Sequence, residues 1–250
     1  MSIPCISARN ISKIYQSREG LPINALADVS IDIGEAEVLA ILGASGCGKS
    51  TLLRIMAGLD QAFSGDMIIR GHPVRGPGLD RGFVFQDHRL VPWMTVKENV
   101  GLGLHPLGKA QREEAIASKL RLVGLTAFMD SYPAQLSGGM AQRVAIARAL
   151  AHSPDVLLLD EPFGALDALT RVTMQAEVLR IQQQEKLSCV LVTHDIEEAV
   201  YLADRILVLS TSPGAVKAVM DVDMPKPRSR TAANFTQLRE YIYDTHFATH

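Results

Sequence analysis

Five short runs of this chain, at 38–42, 83–85, 156–159, 190–192 and 206–209, are apolar throughout. A strand with one wet face alternates apolar and polar residues. A run without alternation is buried on both faces, as in a parallel sheet covered by helices. Helical stretches follow several of these runs, so the pattern predicts an α/β sheet. The segment 28–33 differs: Val29, Ile31 and Ile33 alternate with Ser30 and Asp32, the period of a half-exposed strand. It predicts a small antiparallel layer near the N-terminus. Between 87 and 154 the strand signals stop. Ile116, Leu120 and Val123 recur at helical spacing up to Gly124, and a second helix is expected from Ser137 to about His152, ahead of Pro154.

The expected organisation is a single domain over 1–250. Residues 1–86 and 155–214 form an α/β core, 87–154 a helical insert, and 215–250 a linker and closing helix. Ser212-Pro213-Gly214 reads as a turn, and Phe235, Leu238 and Ile242 line one side of the last helix. In between, the basic residues Lys226, Arg228 and Arg230 have two readings. They pack back with the tail on the core, which is the preferred one, or they meet anionic lipid.

Composition narrows the class. The 250 residues are 47% hydrophobic and 21% charged, with a formal net charge of −2. That suits one large domain or a core with an inserted subdomain, and it lacks the basic footprint of a general nucleic-acid binder. Cys5, Cys47 and Cys189 are scattered without metal-ligand or disulfide spacing, which suits a reducing compartment. The first residues lack a signal-peptide pattern, and no apolar run is long enough to span a bilayer. If the protein works at a membrane, other chains supply the spanning helices.

Candidate chemistry begins at Gly43-Ala44-Ser45-Gly46-Cys47-Gly48-Lys49-Ser50, a full match to G-x-x-x-x-G-K-[ST]. It follows the apolar run 38–42 and precedes a helix that starts Thr51-Leu52-Leu53. That strand–loop–helix setting is what the motif requires. The glycines let backbone N–H groups converge on phosphates, and the helix N-terminus adds favourable partial charge. Lys49 would reach the β- and γ-phosphates, and the Ser50 hydroxyl would be a ligand for Mg²⁺. Cys47, within the loop at a helix N-terminus, is expected to be a reactive thiolate that nucleotide protects, the alternative being a buried, inert thiol. The run 156–159 ends in Asp160-Glu161, two carboxylates where ligands sit in open α/β sheets. Such a pair is costly unless it faces a metal or water. Asp160 would hold Mg²⁺ and Glu161 would polarise the attacking water.

Leu136-Ser137-Gly138-Gly139 opens the second insert helix. Set between the P-loop and Asp160-Glu161, it resembles the signature of the ABC ATPases. The resemblance runs from Tyr15 to about Leu209 and implies a P-loop NTPase core with a mainly parallel sheet, an antiparallel N-terminal layer and an inserted helical subdomain. It implies ATP and Mg²⁺ as cofactors. Tyr15 resembles the aromatic that stacks on adenine, and Gln86 the glutamine that senses Mg²⁺ and the γ-phosphate. Asp167, in Gly164-Ala165-Leu166-Asp167, resembles the D-loop residue, and His194 the switch histidine. Asp195 and Glu198 form a capping box for the helix after it. Met140 stands where the commonest signature has glutamine. That methionine, with Leu90-Val91-Pro92-Trp93 and the segment 99–104, resembles the nitrate/sulfonate/taurine branch of importer ATPases.

The family implies a head-to-tail pair of cassettes in which Ser137, Gly138 and Gly139 of one chain meet the ATP of the other. The branch implies a peripheral protein at the cytoplasmic face of the cell membrane. Its partners would be transmembrane permease subunits and, indirectly, an extracytoplasmic solute-binding protein. The competing reading is an ABC ATPase that acts on nucleic acid or the ribosome. Such chains typically carry paired cassettes, coiled-coil arms or zinc cysteines, which this sequence lacks.

Overall fold

The computed structural model describes residues 4–211 and 213–248. From the N-terminus the elements are β1 (Ile6–Gln16), β2 (Pro22–Ile33), β3 (Val38–Leu42), α1 (Lys49–Met56), β4 (Ser64–Ile69) and β5 (His72–Pro73). Next come β6 (Arg81–Val84), α2 (Val96–Val100), α3 (Lys109–Leu122), α4 (Gly138–Ala149), β7 (Val156–Asp160) and α5 (Ala168–Glu185). The chain closes with β8 (Ser188–Thr193), α6 (Ile196–Leu202), β9 (Arg205–Leu209), β10 (Val216–Asp221) and α7 (Ala233–His246). These form two compact units, one taking the chain up to Gly78 and again from Ser188, the other Leu79–Leu187.

In the first unit β3 pairs in parallel with β8 on one side and with β9 on the other. Every residue of β3 and β8 is buried, as continuous apolar runs require when both faces are covered. Helix α6 packs on β3 and β8. Strand β10 pairs antiparallel with β9. It is mostly exposed, so it carries little hydrophobic signal and is not anticipated by the pattern. The antiparallel layer is a second sheet in the order β2-β1-β4-β5. The predicted alternation holds in it: Val29, Ile31 and Ile33 are buried and Ser30 is exposed.

In the second unit β6 and β7 pair in parallel, and α2, α3, α4 and α5 pack together. A Cβ at Gly82 of β6 would stand 2.5 Å from the Ala149 carbonyl oxygen. This glycine therefore lets α4 approach the strand. Helix α3 stops where expected, with Gly124 at φ 68°, the left-handed conformation that favours glycine. Helix α4 ends at Ala149, earlier than the expected His152. Ser153 takes φ 50°, which no helix continues, and Pro154 follows.

The tail packs on the first unit. The Arg228 guanidinium is buried and donates to the carbonyls of Val200 at 2.7 Å, Val222 at 2.9 Å and Met224 at 3.1 Å. Lys226 pairs with Asp204 at 2.7 Å. Arg230 pairs with Glu197 at 3.0 Å and lies over the Tyr201 ring at 3.7 Å. These cations satisfy backbone and carboxylate groups of their own unit, which overturns the lipid reading and leaves the packed tail. Phe235 and Ile242 are fully buried as the inner side of α7. Of the expected turn at 212–214, Ser212 lies outside the described residues.

Candidate functional site

The chemistry of the first unit gathers at the carboxyl end of its parallel strands. Leu42 of β3 lies in register with Thr193 of β8. The next residue on each strand, Gly43 and His194, therefore leaves the same edge side by side. Gly43 begins the expected phosphate loop. A Cβ there would stand 2.4 Å from the Cys47 sulfur and 3.2 Å from the Leu209 carbonyl oxygen, so the loop turns tightly only with glycine. Ala44, Ser45 and Gly46 are exposed at its tip. Gly48 takes φ 95° as the N-cap of α1 and brings no capping side chain. Most helices satisfy first-turn N–H groups with a Ser, Thr, Asp or Asn cap. Here glycine leaves the helix N-terminus uncapped by any side chain, as an anion site needs.

Lys49 is buried, and its ammonium donates to the carbonyls of Gly43 and Ala44 at 2.9 Å each. Neutral carbonyls offset only part of the desolvation of a charge, so the cation is poised for an anion in the loop. Ser50 and Thr51 follow in the first turn of α1, both partly buried. Cys47 departs from expectation. Its side chain is 1% exposed, turned in beneath the loop against Gly43. A helix N-terminus favours a thiolate, but a thiol without solvent access is not attacked. Cys47 is therefore expected to alkylate slowly with or without nucleotide, at rates like those of buried Cys5 and Cys189. Peptide mass spectrometry of a labelling time course measures this, and fast nucleotide-protected labelling at Cys47 would show an open thiol.

His194 is exposed. It lines a cleft of about 560 Å³ with Asp195, Ile196 and Glu197, and with Arg239, Glu240 and Tyr243 of α7. Asp195 caps α6, accepting from the N–H groups of Glu197 at 2.8 Å and Glu198 at 3.3 Å. The reciprocal half of the expected box is relayed by one hydroxyl. Asp195 N–H donates to Thr193 Oγ1 at 3.0 Å, and that hydroxyl donates to buried Glu198 at 2.6 Å. The relay fixes the strand-to-helix corner that carries His194. Tyr15 sits on β1, partly exposed, with its hydroxyl bonded to Asp60.

In the second unit Val84 of β6 lies in register with Leu159 of β7. Two parallel strands therefore deliver Gln86 on one side and Asp160 and Glu161 on the other to a common edge. Gln86 is exposed, and the two carboxylates are partly buried. Glu161 has φ 44°, a left-handed backbone unusual for a side-chain-bearing residue. Outliers of that kind concentrate at functional sites, where the surrounding fold holds them. The segment after Gln86 is braced by two residues that no motif flags. Arg148 donates to the carbonyls of His88 and Arg89 at 2.8 Å each. Asn99, fully buried, accepts from Val91 N–H at 2.8 Å and donates to the carbonyls of Met94 and Thr95 at 3.0 Å each. Trp93, between these anchors, is 76% exposed.

Ser137 is the N-cap of α4, accepting from Met140 N–H at 3.3 Å. It is exposed with Gly138, while Gly139 is buried. A Cβ at Gly139 would meet Thr170 at 2.6 Å, so this glycine lets the start of α5 pack on the start of α4. Asp167 caps α5, accepting from Leu169 and Thr170 N–H groups at 3.1 Å each. The Thr170 side chain, together with those backbone bonds, holds its carboxyl below the usual range. Met140 lines a cleft of about 420 Å³ with Phe128, Leu169 and Thr173, an apolar setting that suits a thioether.

A family model described as ABC transporter matches residues 26–164, more than half of the chain. The chain belongs to the ABC transporter family. Curated relatives of this ABC chain include the aliphatic sulfonates import ATP-binding protein SsuB of Bacillus cereus, 44% identical over 95% of this chain and 94% of that protein. The bicarbonate transport ATP-binding protein CmpC of Synechocystis is 44% identical over 90% of this chain, which spans 34% of that longer protein. Among solved structures, the ATP-binding cassette MJ0796 in a dimeric post-hydrolysis state bound to ADP and Pi is 33% identical. It matches with a TM-score of 0.76 over 88% of this chain and all of that one. The α/β core with its antiparallel N-terminal sheet is therefore the ABC cassette fold.

Proposed function

We propose that the chain is the ATP-hydrolysing subunit of an ABC importer, powering uptake of a small oxyanion such as nitrate, a sulfonate or taurine through separate membrane subunits. The observation that carries this is the phosphate loop: a glycine-capped helix N-terminus and a buried Lys49 ammonium bonded to the carbonyls of Gly43 and Ala44 and to the Cys47 sulfur, on the strand beside His194. The importer names of the relatives support the direction of transport and the solute class. Among the described residues no helix is long and apolar enough to cross a membrane; in this reading separate permease subunits form the pore. In this reading the cassette sits at the cytoplasmic face of the membrane, pairs with a second copy, and answers indirectly to an extracytoplasmic solute-binding protein.

The residues divide the work by chemistry. Backbone N–H groups of 43–51 receive the phosphates, and Lys49 neutralises their β and γ charge. By the family resemblance, Ser50, Asp160 and Gln86 would supply oxygen ligands for Mg²⁺. Bound there, Mg²⁺ would add charge neutralisation at the transferring phosphoryl group. Glu161 orients the attacking water and accepts its proton, while His194 contacts the γ-phosphate. Ser137, Gly138 and Gly139 of the partner cassette close over that phosphate, with Asp167 at the same interface. A two-fold pair completes both sites from one sequence.

Reconstitution with co-expressed permease subunits tests the proposal. ATPase stimulation by nitrate, sulfonates or taurine is the expected result, and stimulation by none of a broad solute panel counts against the importer reading. A second test concerns Trp93. An exposed tryptophan on a braced loop is the usual form of an interface anchor, and truncating one costs about 2 kcal/mol or more of binding. Trp93→Ala should co-purify poorly with the permease while ATP affinity and melting temperature of the free subunit barely change. A large fall in melting temperature with normal assembly would make Trp93 a packing residue instead.

A further inference from the structure

Tyr15 is tied down by groups with no part in the chemistry derived above. Its hydroxyl donates to Asp60 Oδ2 at 2.7 Å. Asp60 lies just beyond the C-terminal end of α1. Its Oδ1 accepts from Lys13 Nζ at 2.7 Å and from Ala62 N–H at 3.3 Å. Lys13 also donates to the Ala62 carbonyl at 2.6 Å, and its ammonium stands 4.6 Å from the centre of the Tyr15 ring. The pair is secluded, with the Lys13 side chain 5% exposed and that of Asp60 13%.

Burial alone would raise the Asp60 pKa, yet the bonds from Lys13 and Tyr15 outweigh it and hold the carboxyl below its usual range. Asp60 is thus an anion, able to accept from both partners. A buried ion pair is weak evidence for stability in itself, because desolvation offsets the attraction. What this one does is remove rotational freedom from a single, partly exposed ring. It also fixes that ring to the segment that leaves the helix behind the phosphate loop.

We propose that Asp60, with Lys13 as its counter-ion, is a positioning residue for nucleotide binding. It holds the Tyr15 ring in a set relation to the phosphate loop, so that base and triphosphate meet one preorganised surface. This rests on the reading of Tyr15 as the platform for the base. Preorganisation raises affinity because the ordering of a side chain is completed before the ligand arrives.

The test measures dissociation constants of the full chain for Mg-ATP and for magnesium tripolyphosphate, which has no base. Tyr15→Phe keeps the ring and removes the tether, and should weaken ATP about three- to tenfold while tripolyphosphate binds as before. Asp60→Ala should do the same, and the double variant should be no weaker than the worse single one. In turnover the loss should fall on KM rather than kcat. Tyr15→Ala separates the two ideas. If it weakens ATP while Tyr15→Phe and Asp60→Ala do not, the platform stands and the positioning role is wrong. If Tyr15→Ala leaves ATP affinity intact, the platform reading itself fails. Equal losses for ATP and tripolyphosphate would mean damage to the loop, and would also overturn the proposal. Asp60→Ala strands the buried Lys13 charge; should it not fold, Tyr15→Phe, which leaves the ion pair in place, decides alone.

Discussion

Lys49→Ala is expected to lose tight nucleotide binding, and turnover with it. The Lys49 ammonium lies inside the loop, bonded to the carbonyls of Gly43 and Ala44. A polyphosphate offers it charged oxygens in place of neutral ones. A hydrogen bond to a charged group contributes about 1.5–3 kcal/mol, so two such bonds amount to roughly 10²–10⁴ in affinity. Calorimetric ATP binding and phosphate release measure the effect. Near-normal values for both would refute the phosphate-loop assignment. Because the same bonds also close the loop, a fall in melting temperature with unchanged affinity would reduce Lys49 to a structural residue.

Glu161→Gln should bind ATP normally and hydrolyse it slowly. Glutamine has nearly the same shape and meets the same left-handed backbone demand at φ 44°, so the substitution removes the charge and little else. Loss of a positioned general base lowers the rate roughly 10²–10⁴-fold. With hydrolysis blocked, closed pairs no longer resolve, and an ATP-bound dimer should accumulate on size-exclusion chromatography. A monomer in ATP with unimpaired turnover would remove Glu161 from the chemistry.

Both proposed roles are written in the sequence, because each residue belongs to a short contiguous segment whose chemistry depends on local spacing. A loop that cradles phosphate needs glycines and a lysine within eight residues, between a buried strand and a helix, and all of that is written in the order of residues. The buried strands were legible for a similar reason. Burial on both faces leaves no polar alternation in β3, β7, β8 and β9. The signature at 137–139 and the Asp195 cap are equally local, since a cap bonds N–H groups two or three residues away.

What local order did not carry was the direction a side chain takes and the partner it finds far along the chain. Cys47 has the position of a reactive thiol, yet packing against Gly43 turns it inward. Lys226, Arg228 and Arg230 read as a basic run, but Asp204, Glu197 and a set of carbonyls absorb them. Asn99 and Arg148 are ordinary polar residues in sequence and become braces only when a loop folds over them. β10 has too few buried positions to announce itself and exists because β9 offers an edge. Residue order carries the family, the strands buried on both faces and the two segments proposed as phosphate loop and acidic strand end, because each is encoded within a few neighbouring residues. Tertiary structure alone decided the bracing of the Trp93 loop, the burial of Cys47 and the tether of Tyr15 to Asp60. Each of these depends on hydrogen bonds or packing between residues whose proximity only the folded chain creates.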